Sequence, residues 1–282
     1  MSLDSSFLLE EPHVEVFLTY LTPMAEKPVI YTYERPPGIP PSNRKFETHL
    51  MPVHNIRAVS QDISLDREGF RLVVAHSNVC NFYDEDQILR IYYPEAEQLL
   101  KEVTGATGVV IFDHNLRNAQ RSSSGESGIS EPIKLVHNDF TAKSGYTRAR
   151  KELKARGVDN IEQLLQQRFA LINIWRAIAP VFESPLAVCN ALSIAPTDLV
   201  ASDIVYRDYV GETYLITYNP THQWFYFPQM QPSEALLFKC FDSADDGRAR
   251  FAAHTGFDDP TSLADAPTRE SIELRALVFY PT

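Results

Sequence analysis

Cysteine, positive charge and long apolar runs are all scarce in this sequence of 282 residues. The cysteines number only three, Cys80, Cys189 and Cys240, and none of them lies in a C-x-x-C pair. An odd, scattered set argues against a disulfide framework and against a zinc site built from thiolates. We therefore expect a protein of the reducing cytoplasm in which the three thiols are small core residues.

Positive charge is outnumbered, because 26 lysines and arginines stand against 37 acidic residues and give a formal net charge of -11. The sequence has no basic cluster that could follow a phosphate backbone, so nucleic acid and anionic membrane surfaces are unfavourable partners. A small molecule is the partner that we expect. An oligomer is compatible with the sequence but is not implied by it.

Apolar runs are too short for a membrane span. The longest, FALINIWRAIAPVF, is interrupted by Arg176 and falls short of the roughly 20 residues that a spanning helix needs. The segment MSLDSSFLLEEP is acidic and has no cationic stretch before an apolar one, so we expect no secretory signal there.

Strand-forming residues are abundant, with 16 phenylalanines and 13 tyrosines in a chain that is 44% hydrophobic. In the second half, segments rich in β-branched and aromatic residues follow one another at short intervals, separated by Pro, Gly, Asp and Asn. These segments are FALINIWRAI, ETYLITYN, HQWFYFPQM, EALLFKCFDS, RFAAHTGF and SIELRALVFY. This pattern predicts a closed or sandwiched antiparallel architecture.

Helical signals are fewer and lie beside the strands. Asp84 can cap one short helix, and a second can begin at Pro94 and end near Gly105. TRARKELKARG and DNIEQLLQQRF predict two more, with Asp159 and Glu162 as a capping box, whereas the serine-rich residues 117–132 predict a surface loop. The expected class is mainly β with flanking helices (α+β).

We expect one domain over residues 1–282. In this interpretation residues 1–130 supply strands and helices that support a barrel. Residues 131–282 form the barrel itself, with a helical insertion at about 147–168.

A candidate metal site begins in VHNDFT, where His137 and Asp139 are two positions apart. Because strand side chains alternate, this spacing puts both on one face, as a facial triad of two histidines and one carboxylate requires. The pair alone is weak evidence, since HVE at residues 13–15 has the same form. His254, 115 positions after Asp139 in a late predicted strand, is the expected third ligand, because a jelly roll brings early and late strands together.

Arg269 and Ser271 lie on the next predicted strand. Alternation puts both on one face, where the guanidinium can bind a carboxylate through two hydrogen bonds and the hydroxyl can add another. The order H-x-D, distal His, R-x-S is the arrangement of 2-oxoglutarate-dependent oxygenases. Arg121 and Ser123 also match R-x-S, so only the ordered combination is informative.

Other assignments of these residues remain open. His222 could replace His254 as a ligand, but Lys239 would then have to bind the cosubstrate. His114 stands beside Asp113, and adjacent strand residues face opposite ways, so these two cannot readily hold one metal.

Several further residues are candidates for the binding pocket. Asn173 and Arg176 could contact the cosubstrate or substrate, or could have structural roles. Substrate contacts could also come from Arg117, His222 and Trp224, for which the alternative roles are those of a loop, a turn and a core residue.

Seven segments in one order resemble a known family: VIFDHNLR, VHNDFT, INIWRAI, SPLAVCNA, EALLFKCFDS, AHTGFDDP and RESIELRALVFYP. From about residue 85 to the C-terminus the chain is similar to the natural-product oxygenases that include the cephamycin 7α-methoxylation component and fungal gibberellin desaturase-like proteins. The resemblance implies a double-stranded β-helix (a cupin-like jelly roll) that uses Fe(II), 2-oxoglutarate and O2.

By position, the resemblance makes His137, Asp139 and His254 iron ligands, and it makes Arg269 and Ser271 the holders of the distal carboxylate of 2-oxoglutarate. It implies oxidation of an unactivated C–H bond by hydroxylation, desaturation or oxidative cyclisation, with release of succinate and CO2. The chain departs from the family pattern at two positions of the substrate region, Asn190 and Ala177. Two alternatives remain: a mononuclear-metal barrel enzyme that does not use 2-oxoglutarate, and a jelly-roll binding protein without chemistry.

Overall fold

Two β-sheets face each other in the computed structural model, which describes residues 12–35 and 37–281. The larger sheet has nine strands in the order β1-β3-β12-β9-β14-β7-β11-β10-β2, and the smaller has six in the order β4-β13-β8-β15-β5-β6. The strands are β1 (His13–Leu21), β2 (Val29–Tyr31), β3 (Phe46–Asn55), β4 (Phe70–Val74), β5 (Gly108–Arg117), β6 (Ile129–Ser130), β7 (His137–Asn138), β8 (Phe169–Ala177), β9 (Leu186–Cys189), β10 (Leu199–Val205), β11 (Val210–Ile216), β12 (Trp224–Tyr226), β13 (Glu234–Asp242), β14 (His254–Gly256) and β15 (Ser271–Phe279). The predicted jelly roll is confirmed.

Helices flank this pair of sheets. They are α1 (Glu85–Gln87), α2 (Tyr93–Thr104), α3 (Ala119–Ser123), α4 (Ala142–Ala155) and α5 (Ile161–Leu164), with a π-helical turn at Ile88–Tyr92 and 3-10 turns at Arg57–Asp62, Ala191–Ser193 and Pro196–Asp198. In the described ranges, 12–35 and 37–281, no helix has both the length and the apolarity that crossing a bilayer requires.

Strand β8 shows why the smaller sheet is stable. All nine of its residues are buried, because both faces of the sheet are covered. Leu171 and Trp175 on the inner face pack against the larger sheet, whereas Ile172 and Ile174 on the outer face pack against α2 and the π-helical turn. The continuous hydrophobic run of this strand is the pattern of a strand covered on both sides.

The outer face of the larger sheet is covered by the antiparallel strand pair β1–β3. Val16, Leu18 and Tyr20 of β1 belong to the same apolar cluster as Trp224 and Val136. The amide of Val136 donates to the carbonyl of Thr19 at 2.9 Å. The β1–β3 pair therefore folds back over the sheet to which it belongs.

The register of β5 against β15 changes once. Arg275 pairs with Asp113, but the next residue of β15, Ala276, pairs with Ile111, so Phe112 is an extra residue in β5. Such a β-bulge changes which side chains of a strand face a given side.

Most predicted elements lie where the sequence indicated, with several corrections. Gly105 adopts φ 69° and ends α2 as expected, but the π-helical turn joins α1 and α2 into one continuous helical segment. Thr141 and Ser144 form a capping box at α4, whereas the one predicted around Asp159 is wrong, because α5 begins after Asn160 without a side-chain cap.

Three further predictions also need correction. The serine-rich segment contains the short helix α3 rather than only loop, and the long strand β3 and strand β10 were not predicted. Cys189 and Cys240 are buried, but Cys80 is exposed rather than in the core. Residues before 130 supply strands to both sheets. That residues 1–282 form one domain stays a prediction.

Candidate metal centre and cosubstrate pocket

Two short strands of the larger sheet bring the candidate ligands together. His137 on β7 pairs directly with His254 on β14, and Asp139 follows β7 immediately. One ligand atom from each of the three side chains lies within 4.8 Å of the others, and the two imidazole rings are 4.4 Å apart between centroids. The three side chains thus offer two nitrogens and one oxygen to a common point.

The histidines are oriented to present a lone pair there. Nδ1 of His137 lies 2.7 Å from the carbonyl oxygen of Leu135. A carbonyl can only accept, so Nδ1 carries the proton and Nε2 is left unprotonated. Nδ1 of His254 makes a longer contact of the same kind with Ala252, at 3.4 Å. Burial lowers the pKa of both imidazoles, to about 4 for His137, which keeps them neutral and able to bind a metal.

The carboxylate of Asp139 is held through one oxygen only. Its Oδ2 accepts from Nδ2 of Asn173 at 2.8 Å and from Nε of Arg275 at 2.7 Å, and its Oδ1 lies 3.6 Å from Nε2 of His137. Burial opposes ionisation, but Arg275 and the two imidazoles outweigh it and hold the pKa of Asp139 well below its usual range. An ionised oxygen is therefore free beside the imidazoles.

This donor set fits iron. Two neutral imidazoles and one carboxylate on a single side are the ligands of a 2-His-1-carboxylate facial triad, which leaves the opposite positions of the metal open. The carbonyl contacts of the imidazoles and the Asn173 contact of the carboxylate are the orienting interactions that metal ligands commonly have.

Ser271 is the first residue of β15 and Arg269 lies two residues before it, and both are buried. Nη1 of Arg269 donates to the carbonyl of Ser184 at 2.5 Å, but its Nε and the Oγ of Ser271 have no hydrogen-bond partner among the described residues. Burial lowers the pKa of Arg269 to about 10. Unpaired polar atoms are costly to bury, so this pair is suited to receive the carboxylate of a bound molecule.

The cation of Arg269 sits close to the strand that carries His254. A Cβ built on Gly256 would be 3.5 Å from Nη1 of Arg269 and 3.2 Å from the carbonyl oxygen of Ile133. The ring of Trp175 lies 5.5 Å below the guanidinium. Glycine at position 256 therefore leaves room for the carbonyl of Ile133, whereas the contact of a Cβ with Arg269 would be of ordinary van der Waals length.

Two inward-facing residues of β15 were missed in the sequence. Arg275 contacts Asp139, and its Nη2 donates to Oε1 of Glu273 at 3.1 Å. Burial raises the pKa of Glu273. The signal was present in SIELRALVFY, because Glu273 and Arg275 are charged, alternate in a strand that is otherwise apolar, and share the face of Ser271.

Arg176 does not reach the candidate site. It lies on the outer face of β8, where its Nη1 donates to the carbonyls of Ala75 and Pro232, both at 2.6 Å, and its Nε donates to the hydroxyl of Tyr92 at 3.0 Å. The prediction of a cosubstrate or substrate contact is wrong for this residue, since strand alternation puts it opposite to Asn173.

His222 and Trp224 also lie away from the triad. Nε2 of His222 is 3.1 Å from Oδ2 of Asp198, its ring stacks on Tyr20, and Nε1 of Trp224 donates to the hydroxyl of Tyr20 at 2.7 Å. Trp224 belongs to the apolar cluster under the β1–β3 pair. The expected substrate contacts are therefore corrected, and both residues have structural roles.

The two alternative assignments, Lys239 as a cosubstrate ligand and His114 as a metal ligand, also disagree with the contacts of these residues. Nζ of Lys239 is bound to Asp242 at 2.8 Å and to Asp66 at 2.6 Å, so it is not available to a cosubstrate. His114 contacts the hydroxyl of Tyr93 at 3.0 Å, on the face of β5 opposite to Asp113. One departure from the family pattern, Asn190, has a structural role. Its side-chain oxygen accepts a hydrogen bond from the amide of Leu192 and caps the 3-10 turn Ala191–Ser193.

A cavity of about 610 Å³ opens beside the triad and includes Arg117 in its lining together with His137 and Asp139. Its size is within the range of pockets that bind small molecules. Metal donors, a buried guanidinium and hydroxyl with unpaired atoms, and a cavity of small-molecule size thus lie in one region of the barrel.

Known proteins are similar to this chain over most of its length. A family model described as "Oxidoreductase/YMDC permease-like domain" matches residues 18–279. The hydroxylase/desaturase efuI of Hormonema carpetanum is 32% identical over 84% of this chain and 85% of that protein. The alpha-ketoglutarate-dependent dioxygenase phiK of a fungal species is 30% identical over 96% of this chain and 98% of that protein.

The solved structure of the iron and alpha-ketoglutarate-dependent endoperoxidase NvfI superimposes with a TM-score of 0.84 at 27% identity, covering 96% of this chain and 99% of that chain. These relatives confirm the predicted enzyme class and the predicted cofactors, Fe(II) and 2-oxoglutarate. The chain belongs to the family of Fe(II)- and 2-oxoglutarate-dependent oxygenases that includes these fungal hydroxylase/desaturases and dioxygenases.

Proposed function

We propose that this chain oxidises a C–H bond of a small molecule from a natural-product pathway, with His137, Asp139 and His254 as the iron ligands. Arg269 and Ser271 hold the distal carboxylate of 2-oxoglutarate. The observation that carries the proposal is the coincidence, in one barrel, of a converging donor set with a buried guanidinium and a buried hydroxyl; among the described residues, Nε of that guanidinium and the hydroxyl have no hydrogen-bond partner.

Each residue has a separate task in this proposal. His137 and His254 present unprotonated Nε2 atoms, while Asn173 and Arg275 hold Asp139 so that Oδ1 faces the metal. When bound, iron with 2-oxoglutarate and O2 supplies the oxidant that removes a hydrogen atom from the substrate. Arg269 orients the cosubstrate by a charge-assisted hydrogen bond. The surrounding aromatic core excludes water.

The names of the relatives support more than one outcome of the oxidation, since they include hydroxylase/desaturases and an endoperoxidase. Hydroxylation, desaturation and oxidative cyclisation all belong to the proposal. The likeness to the cephamycin 7α-methoxylation component, which rests on the ordered sequence segments, is also part of the proposal. The cytoplasmic location is part of it as well.

Anaerobic titration tests the ligand assignment. The metal-free protein is titrated with Fe(II) and then with 2-oxoglutarate, and chelation of the keto acid by iron is read as a visible charge-transfer band. His254→Ala should abolish iron binding, whereas His114→Ala, on the opposite side of the smaller sheet, should bind iron as the wild type does. Loss of iron in His114→Ala alone would contradict the ligand set.

The same titration tests whether Arg269 binds 2-oxoglutarate. Arg121 is the matched control, because each of these arginines is the first residue of an R-x-S sequence. Arg269→Ala should keep iron but weaken 2-oxoglutarate binding by roughly 10- to 100-fold, the effect of losing a charge-assisted hydrogen bond of about 1.5–3 kcal/mol. Arg121→Ala should change neither affinity, because Arg121 pairs with Glu126 on the surface. Unchanged cosubstrate affinity in Arg269→Ala would refute this role of Arg269, and iron uptake without the band would favour an enzyme that does not use 2-oxoglutarate.

A further inference from the structure

The cavity beside His137 and Asp139 is positively charged although the chain as a whole is acidic. Its lining contains seven lysines and arginines but only three carboxylates, in a chain with a formal net charge of -11. The cations are Lys27, Arg44, Arg117, Lys143, Arg148, Lys151 and Arg275. A concave surface of one sign concentrates molecules of the opposite charge.

Three of these cations are already neutralised by carboxylates. Lys27 binds Asp203 at 2.5 Å and Glu212 at 2.7 Å. Arg275 binds Asp139 at 2.7 Å, and Arg148 pairs with a glutamate of its own helix at 3.2 Å. Two of the three lining carboxylates are thus used by Lys27 and the third by Arg275.

The other four have no carboxylate within 4 Å in the part of the chain that the structure describes. Arg44 donates only to neutral oxygens, the hydroxyl of Ser202 and a backbone carbonyl. Lys151 lies over the ring of Tyr209 at 5.1 Å. Lys143 is exposed on the same helix, α4, about two turns before Lys151. The cavity therefore carries a surplus of positive charge.

Arg117 is the innermost of the unpaired cations. It is half-buried at the end of β5, opposite Ser271 in the register, and its single hydrogen bond among the described residues runs from Nη1 to the carbonyl of Glu131 at 3.1 Å. Burial lowers the pKa of Arg117. A guanidinium held in this way has donors left for an incoming carboxylate, which it can bind through two parallel hydrogen bonds.

Much of the rest of the lining is apolar or aromatic, beside four uncharged polar residues: Asn115, Ser144, Thr147 and Thr213. Tyr206 and Tyr209 stack at 4.3 Å with an angle of 11° between their planes. The apolar lining residues are Ile133, Leu135, Phe140, Ile204, Val210 and Leu215. This surface suits an apolar carbon skeleton, with the charge of the ligand at the Arg117 end.

We propose that the substrate is an amphipathic carboxylic acid, whose carboxylate binds Arg117 and whose apolar body lies between Leu135 and the Tyr206–Tyr209 pair. Lys143 and Lys151 draw the acid into the cavity. This substrate class rests on the proposed function, since the acid occupies the cavity next to the proposed iron site.

Calorimetric titration with two probes of one shape tests the proposal. The anaerobic protein, loaded with Fe(II) and saturating 2-oxoglutarate, is titrated with 2-naphthoate and with its neutral analogue 2-naphthamide. We expect naphthoate to bind at least about tenfold more tightly, the effect of one charge-assisted contact, and the difference to shrink as salt is added. Equal affinities, or no binding of either probe, would overturn the proposal.

Variants locate the charge preference. Arg117→Met should reduce naphthoate affinity by about tenfold and leave naphthamide nearly unchanged, whereas Arg117→Lys should keep part of the preference. Arg90→Met is the control, because Arg90 is highly exposed on the π-helical turn and pairs with Asp86 outside the cavity. An unchanged preference in Arg117→Met would refute the assignment, as would tighter binding of 2-naphthyl phosphate than of naphthoate.

The charge-transfer band separates this proposal from the proposed function. It is recorded in each sample before the probe is added. A wild-type protein without the band contradicts the assigned iron and 2-oxoglutarate sites, whereas the probe preference is read by heat and does not depend on turnover. Loss of the band in Arg117→Met, or its bleaching by naphthoate, would assign Arg117 to the cosubstrate and overturn the substrate proposal.

Discussion

Replacing Arg275 by methionine tests whether one buried cation holds the candidate metal centre together. Arg275 contacts three carboxylates: Nε lies 2.7 Å from Asp139, Nη2 3.1 Å from Glu273 and Nη1 3.4 Å from Asp113. Arg275→Met keeps much of the side-chain volume but removes the only cation in contact with Asp139 among the described residues. Asp139 and Glu273 would then be buried near each other without compensation.

The expected cost follows from the burial of these groups. The side chain of Arg275 is 19% exposed and that of Asp139 is 11% exposed. Breaking a buried ion pair from one side typically costs 3–5 kcal/mol, so we expect a loss of about 3 kcal/mol in the free energy of unfolding for a pair that keeps some exposure. Loss of an orienting contact to a metal ligand should also weaken Fe(II) binding by roughly 10- to 100-fold.

Urea unfolding of the metal-free variants measures the first effect, and anaerobic Fe(II) titration measures the second. Arg150→Met provides a matched control, because Arg150 also binds a carboxylate, Glu162, through two hydrogen bonds of 2.6 and 2.9 Å. These partners are 48% and 68% exposed, so this change should cost less than about 1 kcal/mol. Equal losses in the two variants would refute the reasoning, as would unchanged iron affinity in Arg275→Met.

Three further substitutions give outcomes that depend on backbone geometry. Gly256→Ala should lower the free energy of unfolding by about 1 kcal/mol, because the added Cβ would lie 3.2 Å from the carbonyl oxygen of Ile133; an unchanged midpoint of urea unfolding would contradict this. Ser184→Gly should raise the free energy of unfolding by up to about 1 kcal/mol, since Ser184 has φ 46° and a left-handed conformation strains a residue with a side chain; a loss in urea unfolding would contradict it. Gly145→Ala should destabilise by about 1–3 kcal/mol despite the usual helix preference for alanine, because the Cβ would lie 2.7 Å from the ring of Phe241; a rise in thermal midpoint would refute that reasoning.

The parts of the fold that could be predicted are those in which a local pattern and the packing agree. FALINIWRAI and SIELRALVFY are long, β-branched and bounded by turn residues, and both form strands of the smaller sheet. Strand β3 was missed because FETHLMPVHN has a proline and two histidines. Its stability comes from pairing with β1 over nine residue pairs, and that pairing is not a local property.

The candidate site could be predicted where the spacing of residues along a strand determines which face of the sheet their side chains share. Arg269, Ser271 and the histidines were found because their order in the chain matches an arrangement in which early and late strands meet. Arg176 was misplaced because both faces of β8 are buried, so burial could not tell its inner face from its outer one. Arg275 was missed because a charged residue within a strand looks solvent-exposed until both neighbouring strands are known.

The extra residue Phe112 gives strand β5 two different alternations. Before it, Val109 and Ile111 point away from the barrel interior, towards α2; after it, Asp113 and Arg117 point into the interior, opposite Arg275 and Ser271. If β5 kept one regular alternation through Phe112 instead of the bulge, His114 and Leu116 would occupy the cavity wall. A one-residue shift in the register of β5 against β15 would therefore change this wall from charged to largely neutral, with no substitution at any residue that touches the substrate.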